Sequence, residues 1–222
     1  MSSDKSDSKS DPTSESERVD DFVHEAYHLE NTHEMVTFYR KWAADYDRQM
    51  LDQRGYTAPS SIAAILSEQL PDTQASVLDV GCGTGLTCRL LAERGFSQLD
   101  GIDLSQEMID VARERGIYRN LLQGDVNEPL QIETASYDGV VSSGTFTHGH
   151  VGPAPLDEIF RVLKPGGVLA CTVHQDLWQS MGFEDRFAAL VDEGIASLVS
   201  LELGSYYRDK PVEGWFCVYR KV

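Results

Sequence analysis

One nine-residue stretch limits most strongly what this chain can fold into. Val77-Leu78-Asp79-Val80-Gly81-Cys82-Gly83-Thr84-Gly85 runs from apolar and β-branched residues straight into three glycines at alternate positions. That pattern predicts a strand, Ser76–Val80, stopping at a tight turn, and then a helix, Thr84–Arg94, ended by Gly95. A turn without Cβ atoms lets a ligand reach backbone N–H groups at a helix start, which suits something nucleotide-like. A dinucleotide fingerprint, G-x-G-x-x-G, needs glycine at position 86; Leu86 stands there, which weakens a nicotinamide reading. Asp79, just before the turn, offers a carboxylate to a cationic amino group.

The chain on either side follows a regular beat. Met35, Val36, Phe38, Tyr39, Trp42, Ala43, Tyr46 and Met50 recur at three- and four-residue steps, predicting an amphipathic helix over Met35–Leu51 that ends before Gly55. A second helix is expected over Pro59–Leu70. After the glycine turn come strand Leu99–Asp103, helix Ser105–Arg115 with a Ser cap and Gly116 as its stop, and strands Tyr118–Gln123, Tyr137–Ser142 and Gly167–His174. Helices Leu156–Leu163 and Glu184–Val191 and strands Ala196–Leu203 and Gly214–Arg220 complete the list. Strands separated by helices need parallel crossovers, whereas the closing pair, joined by a turn near Arg208–Pro211, brings in one antiparallel strand. The expected architecture is α/β: a doubly wound, seven-stranded, mostly parallel sheet with one antiparallel strand and N-terminal cap helices.

Acids stand where such a sheet binds ligands, at the carboxyl ends of successive strands. Asp103 follows Gly85 by 18 residues and can accept hydrogen bonds from both hydroxyls of a ribose; it can also be read as a cap of the next helix. In Gly124-Asp125-Val126, Asp125 can accept from an adenine amino group while Val126 and Met108 pack the ring faces; its other reading is a turn acid.

Composition restricts the partners. At 222 residues, the length suits one α/β domain with an accessory cap, and no apolar run is long enough to span a bilayer. The net charge of −17 repels phosphate backbones, so nucleic acid is not the expected partner. Residues 1–20 are expected to be a disordered acidic tail, 21–71 the cap or lid helices and 72–222 the core. The N-terminus has no apolar signal region, and the four cysteines show no C-x-x-C pair, so reduced thiols in the cytoplasm are expected. The histidine pairs His24/His28 and His148/His150 lack the acidic or Cys partners of a metal site, and none is assigned. Oligomeric state is left open.

These motifs, taken in order, resemble the class I S-adenosylmethionine-dependent methyltransferases. The resemblance rests on Leu78–Gly85, Gly101–Ser105, Gly124–Val126, Tyr137-Asp138-Gly139-Val140-Val141 and Leu163-Lys164-Pro165-Gly166-Gly167, and covers roughly Met35 to Val222. Ser142–Val151 and Gly214–Arg220 further resemble the Williams–Beuren-region methyltransferase-like subgroup. The resemblance implies a Rossmann-like core that binds S-adenosylmethionine and releases S-adenosylhomocysteine. Gly81, Gly83 and Gly85 would line the methionine portion, Asp103 the ribose, Asp125 with Val126 the adenine, and Ser142 or Ser143 the α-amino group; Asp79, Cys82, Leu104 and Met108 join that set.

The helix carrying Tyr39, Trp42, Ala43, Tyr46 and Asp47 is similar to the lid helix that such enzymes place over the cofactor. An aromatic face attracts a sulfonium and excludes water, although the same stripe also reads as ordinary core packing. Methyl transfer is an in-line displacement needing alignment in a dry site. His148, or His150, stands beyond the fourth strand as a candidate base for the acceptor proton, with a loop histidine as the plain reading. Ser142-Ser143-Gly144-Thr145 replaces the Asn/Asp-Pro-Pro-aromatic motif of nucleic-acid adenine methyltransferases, and the acids of catechol-type metal sites are missing there. A small-molecule acceptor, with an N, O or S nucleophile, is therefore expected. A nicotinamide-dependent oxidoreductase and a non-catalytic cofactor-binding module are the alternatives.

Overall fold

A computed structural model describes residues 32–147, 151–209 and 212–222. The expected tail over 1–20, His24, His28, His148 and His150 all lie outside the described residues. Before the glycine turn the chain forms α1 (Thr32–Trp42), a π-helical turn (Arg48–Gln53) and α2 (Ala58–Gln69). Then follow β1 (Ser76–Val80), α3 (Leu86–Glu93), β2 (Gln98–Asp103), α4 (Gln106–Glu114), β3 (Tyr118–Gln123) and β4 (Tyr137–Phe146). The remainder is α5 (Pro155–Val162), β5 (Leu163–His174), α6 (Gln175–Ser180), α7 (Phe183–Asp192), β6 (Ala196–Ser205) and β7 (Glu213–Lys221).

The strands form one sheet in the order β3-β2-β1-β4-β5-β7-β6, as the alternating pattern implied. β7 runs antiparallel to both β5 and β6, and the other pairings are parallel. β1 is apolar almost throughout because helices cover both faces of the sheet. Val77 packs with Ile62 and Leu66 of α2 and Leu91 of α3, whereas Leu78 and Val80 join Leu156 and Ile159 of α5 on the opposite face. Each such fully buried side chain contributes about 1.5–3 kcal/mol relative to exposure. Register places Val80 beside Ile102 of β2, and Asp79 beside Val141 of β4. The carboxyl ends of these strands therefore converge where the strand order reverses between β1 and β4, the ligand-binding crevice of open α/β sheets.

Four local expectations are corrected. The single helix expected over Met35–Leu51 stops at Trp42, and a turn separates it from the π-helical segment. The apolar stripe continues across the turn at residues 43–45, and Asp47, back in helical backbone, hydrogen-bonds to Thr84 and Arg115 in distant segments. The helix expected from Thr84 begins at Leu86, because Gly85 takes a left-handed conformation at its cap. β4 runs on past Ser142 to Phe146 through a register shift, with Gly144 at φ +79°, and β5 starts at Leu163 rather than Gly167. α6 had no periodic signal: it is six residues long and capped by the His174 ring, which accepts from the Asp176 N–H. Among the described residues no helix is long and apolar enough to cross a membrane.

Candidate active site

Three glycines open the site, and the structure separates their duties. All have positive φ: +69° at Gly81, +52° at Gly83 and +87° at Gly85. A Cβ on Gly81 would lie 2.1 Å from Thr145 Oγ1, and one on Gly85 would lie 3.0 Å from the Tyr118 ring. Protein packing therefore requires both. Gly83 differs: a Cβ there meets nothing within 4 Å, so the open space of the turn is at this residue. The loop is held by the Ile102 carbonyl, which accepts from the Gly81 and Cys82 N–H groups at 2.9 and 3.0 Å.

Asp103 faces this turn from the end of β2. Its two oxygens accept separately, Oδ2 from the Gly83 N–H at 2.7 Å and Oδ1 from the Ser105 N–H at 2.9 Å. The cap of α4 is Ser105, whose hydroxyl accepts from the Met108 N–H, so Asp103 is not spent on capping. Burial pushes the Asp103 carboxyl above its ordinary range, against the lowering effect of those amides. A half-buried carboxylate held by backbone amides, with further lone pairs available, is suited to hydroxyl donors.

Asp79 lies deeper, 1% exposed, and accepts from the Tyr118 hydroxyl at 3.0 Å. Burial raises its pKa to about 7, with the neighbouring Asp103 charge adding to the rise. Tyr118 was not singled out in the sequence; its role appears only once the start of β3 is laid under the glycine turn. Cys82 is buried, and burial pushes its thiol well above the ordinary range. Leu104 is half-buried beside Asp103, and Met108 is buried on α4. In the loop after β3, Asp125 Oδ1 accepts from the Asn127 N–H and side-chain amide, and Val126 packs in the apolar cluster with Val80 and Ile102. The structure thus brings Gly83, Asp103, Asp79, Cys82 and Tyr118 together and sets Asp125 on the adjoining loop.

The aromatic cap has a different character. Trp42 is 3% exposed, with its ring 4.8 Å edge-on to Tyr46 and stacked 6.0 Å from Tyr39, and its indole N–H donates to Gln49. Trp42 is the hub of this cluster, while Tyr39 and Tyr46 keep partial exposure. At the end of β4, the Ser142 hydroxyl is fully buried and donates to the Val80 carbonyl, whereas Ser143 is partly exposed and lies 3.4 Å from the Tyr56 hydroxyl. Gly144 donates to Thr172 Oγ1, and Tyr56 packs against Tyr207, its ring centroid 5.3 Å away. His174 meets the Tyr206 ring edge-on. Tyr56, Thr172, His174, Tyr206 and Tyr207 escaped the sequence reading because they belong to no contiguous motif.

Comparison with known proteins identifies the family. Residues 78–171 match the family described as "Methyltransferase domain". Human "Methyltransferase-like protein 27" is 31% identical over 173 residues, 77% of this chain and 69% of that protein. "Malonyl-[acyl-carrier protein] O-methyltransferase" of Serratia marcescens is 35% identical over 51% of this chain, and mouse "18S rRNA (guanine-N(7))-methyltransferase" is 39% identical over 33% of it. The matched stretches span less than half of these last two proteins, 46% and 26%. A solved putative S-adenosylmethionine-dependent methyltransferase from Methanococcus maripaludis superposes with a TM-score of 0.61 at 22% identity, covering 82% of this chain and 93% of that one. The human match sets aside the oxidoreductase alternative: the chain belongs to the class I S-adenosylmethionine-dependent methyltransferases, and S-adenosylmethionine is its cofactor.

Proposed function

We propose that this protein moves the methyl group of S-adenosylmethionine to a small-molecule acceptor bearing an N, O or S nucleophile. The chain's residues fit the cofactor, the carrying observation being the pairing of Gly83 with Asp103: an open backbone cradle beside a carboxylate held by amides. When bound, S-adenosylmethionine supplies an electrophilic methyl group on a sulfonium. Asp103 would accept from the ribose hydroxyls, Gly83 would leave room for the methionine portion with Gly81 and Gly85 shaping the turn, and Asp125, Val126, Met108 and Leu104 would enclose the adenine. Asp79 and Cys82 would lie beneath the methionine end, and Ser142 or Ser143 would take the α-amino group, Ser143 being the more exposed of the two. Tyr39, Trp42 and Tyr46 would exclude water above the sulfonium, and His148 is kept as the proposed acceptor base.

Several observations support a small acceptor. The −17 charge opposes polyanions, and among the described residues the β4 and β5 ends present closely packed tyrosine, threonine and histidine side chains. A relative is named for a carrier-bound malonyl group. The rRNA relative favours a second reading, guanine in RNA, over a shorter stretch. All four cysteines are free, which accords with the cytoplasm as the proposed location. The organisation goes with this proposal: a tail over 1–20, a cap over 21–71 and a core over 72–222.

The test is release of S-adenosylhomocysteine across a panel of small carboxylates, phenols, alcohols, amines and thiols, with an rRNA fragment alongside. Turnover on one small class supports the proposal. Turnover on RNA alone replaces the acceptor, and cofactor binding without turnover on any of them favours the non-catalytic module.

A further inference from the structure

The glycine turn is tied to the cap by a three-cornered hydrogen-bonded ring that the cofactor reading does not require. Thr84, 1% exposed, stands between Gly83 and Gly85. Its hydroxyl donates to Asp47 Oδ1 at 2.5 Å, and its carbonyl accepts from Arg115 Nε at 2.5 Å. The ring closes through an ion pair between the Arg115 guanidinium and Asp47 Oδ2. The three residues come from three places: the N-cap of the π-helical turn, the glycine loop, and the residue following α4. Arg115 Cδ also lies 3.3 Å from the position a Gly85 Cβ would take, so the guanidinium stem packs directly under the loop.

We propose that Asp47 and Arg115 are positioning residues, a latch that clamps the aromatic cap onto the glycine turn and so sets affinity for S-adenosylmethionine. The proposal rests on the cofactor assignment above. Asp47 follows Tyr46 directly, so one hydrogen bond and one peptide unit join Thr84 to the aromatic cluster. The side chains of Arg115 and Asp47 are 18% and 34% exposed, which limits screening. A second tie of the cap to α4, Arg40 to Glu107, has its arginine 61% exposed and contributes little. Arg115 uses two guanidinium nitrogens, Nε and Nη2, for two different partners, a carbonyl and a carboxylate, which the point charge of lysine does not reproduce.

The test is calorimetric titration of the full chain with S-adenosylmethionine, with hydrogen exchange over residues 43–54 as a second readout. Arg115→Gln and Asp47→Asn should each weaken binding about tenfold, the size of a typical coupling between sites. The double variant should be no weaker than either single one, because each breaks the same ring. Arg115→Lys should not rescue, and Arg40→Gln should stay within twofold of wild type. Exchange over 43–54 should slow on cofactor addition in the wild type and not in the latch variants. If a charge variant does not fold, Thr84→Val should lose the affinity that Thr84→Ser keeps. Binding within twofold of wild type in the single variants, or losses that add in the double variant, overturns the latch alone. A wild-type chain that binds no S-adenosylmethionine overturns the cofactor assignment and the latch together.

Discussion

The two sides of the crevice are built in different ways. On the proposed donor side, at the ends of β1 and β2, the turn is only five residues long, and Asp103 is reached after one helix and one strand. On the proposed acceptor side, at the ends of β4 and β5, Tyr56 meets Ser143 across 87 residues of sequence, and the Tyr56 and Tyr207 backbones form a bridge. The donor side is a local design in which backbone amides and one carboxylate do the holding. The acceptor side is assembled by tertiary packing and depends on where separate segments meet. A common donor site can therefore persist while acceptors change, the general case of a function placed on a shared fold.

That contrast can be broken at several points, the first being Asp79. Its folded-state pKa of about 7 lies above its unfolded value, so the native chain holds a proton that the unfolded chain has released. Its contribution to stability is full below about pH 4 and falls by about 4 kcal/mol as pH rises to about 7, then stays level. Urea denaturation from pH 4 to 8 should show that decline in the wild type and a flatter profile in Asp79→Asn. Equal slopes in the two proteins would mean the carboxyl is not buried as described.

The glycines sharpen the comparison within the donor side. Gly81→Ala should cost about 3 kcal/mol, combining left-handed backbone strain with the clash against Thr145. Gly83→Ala carries only the backbone term, about 1 kcal/mol, but should weaken cofactor binding at least as much as it weakens folding. If Gly83→Ala bound S-adenosylmethionine like wild type, the open space would not be the cofactor's. Asp103→Ala, losing two charge-assisted bonds to ligand, should reduce cofactor affinity about 100-fold, with a lower melting temperature because the Gly83 and Ser105 amides lose their acceptor. An unaltered dissociation constant would contradict its ribose role.

The smallest effect is expected across the crevice. Tyr56→Phe removes one long hydroxyl contact at 3.4 Å and leaves the Ser143 hydroxyl in place for the α-amino group, so it should raise the acceptor KM about fivefold, equivalent to about 1 kcal/mol, while cofactor affinity shifts by less than twofold. A change in cofactor affinity instead of KM would move Tyr56 to the donor side.

What could be read in advance follows the same division. The alternation of strands and helices, the antiparallel β7, the Ser105 cap and the positions of Gly83 and Asp103 all depend on short-range pattern, and the sequence shows them. Tyr118 and Arg115 carry no such signal, since their importance arises when the start of β3 and the end of α4 are laid beneath a loop some thirty residues earlier. The break after Trp42 was hidden because the apolar stripe continues through it. The chain is helical again at Tyr46 and Asp47, and from there Asp47 reaches Thr84 and Arg115.

The most direct test of the account is titration of the full chain with S-adenosylmethionine, followed calorimetrically for the wild type and for Asp103→Ala. One cofactor bound per chain, with binding lost in the variant at the same protein concentration, is the predicted result. No heat of binding in the wild type, or equal affinity in the two proteins, would contradict it.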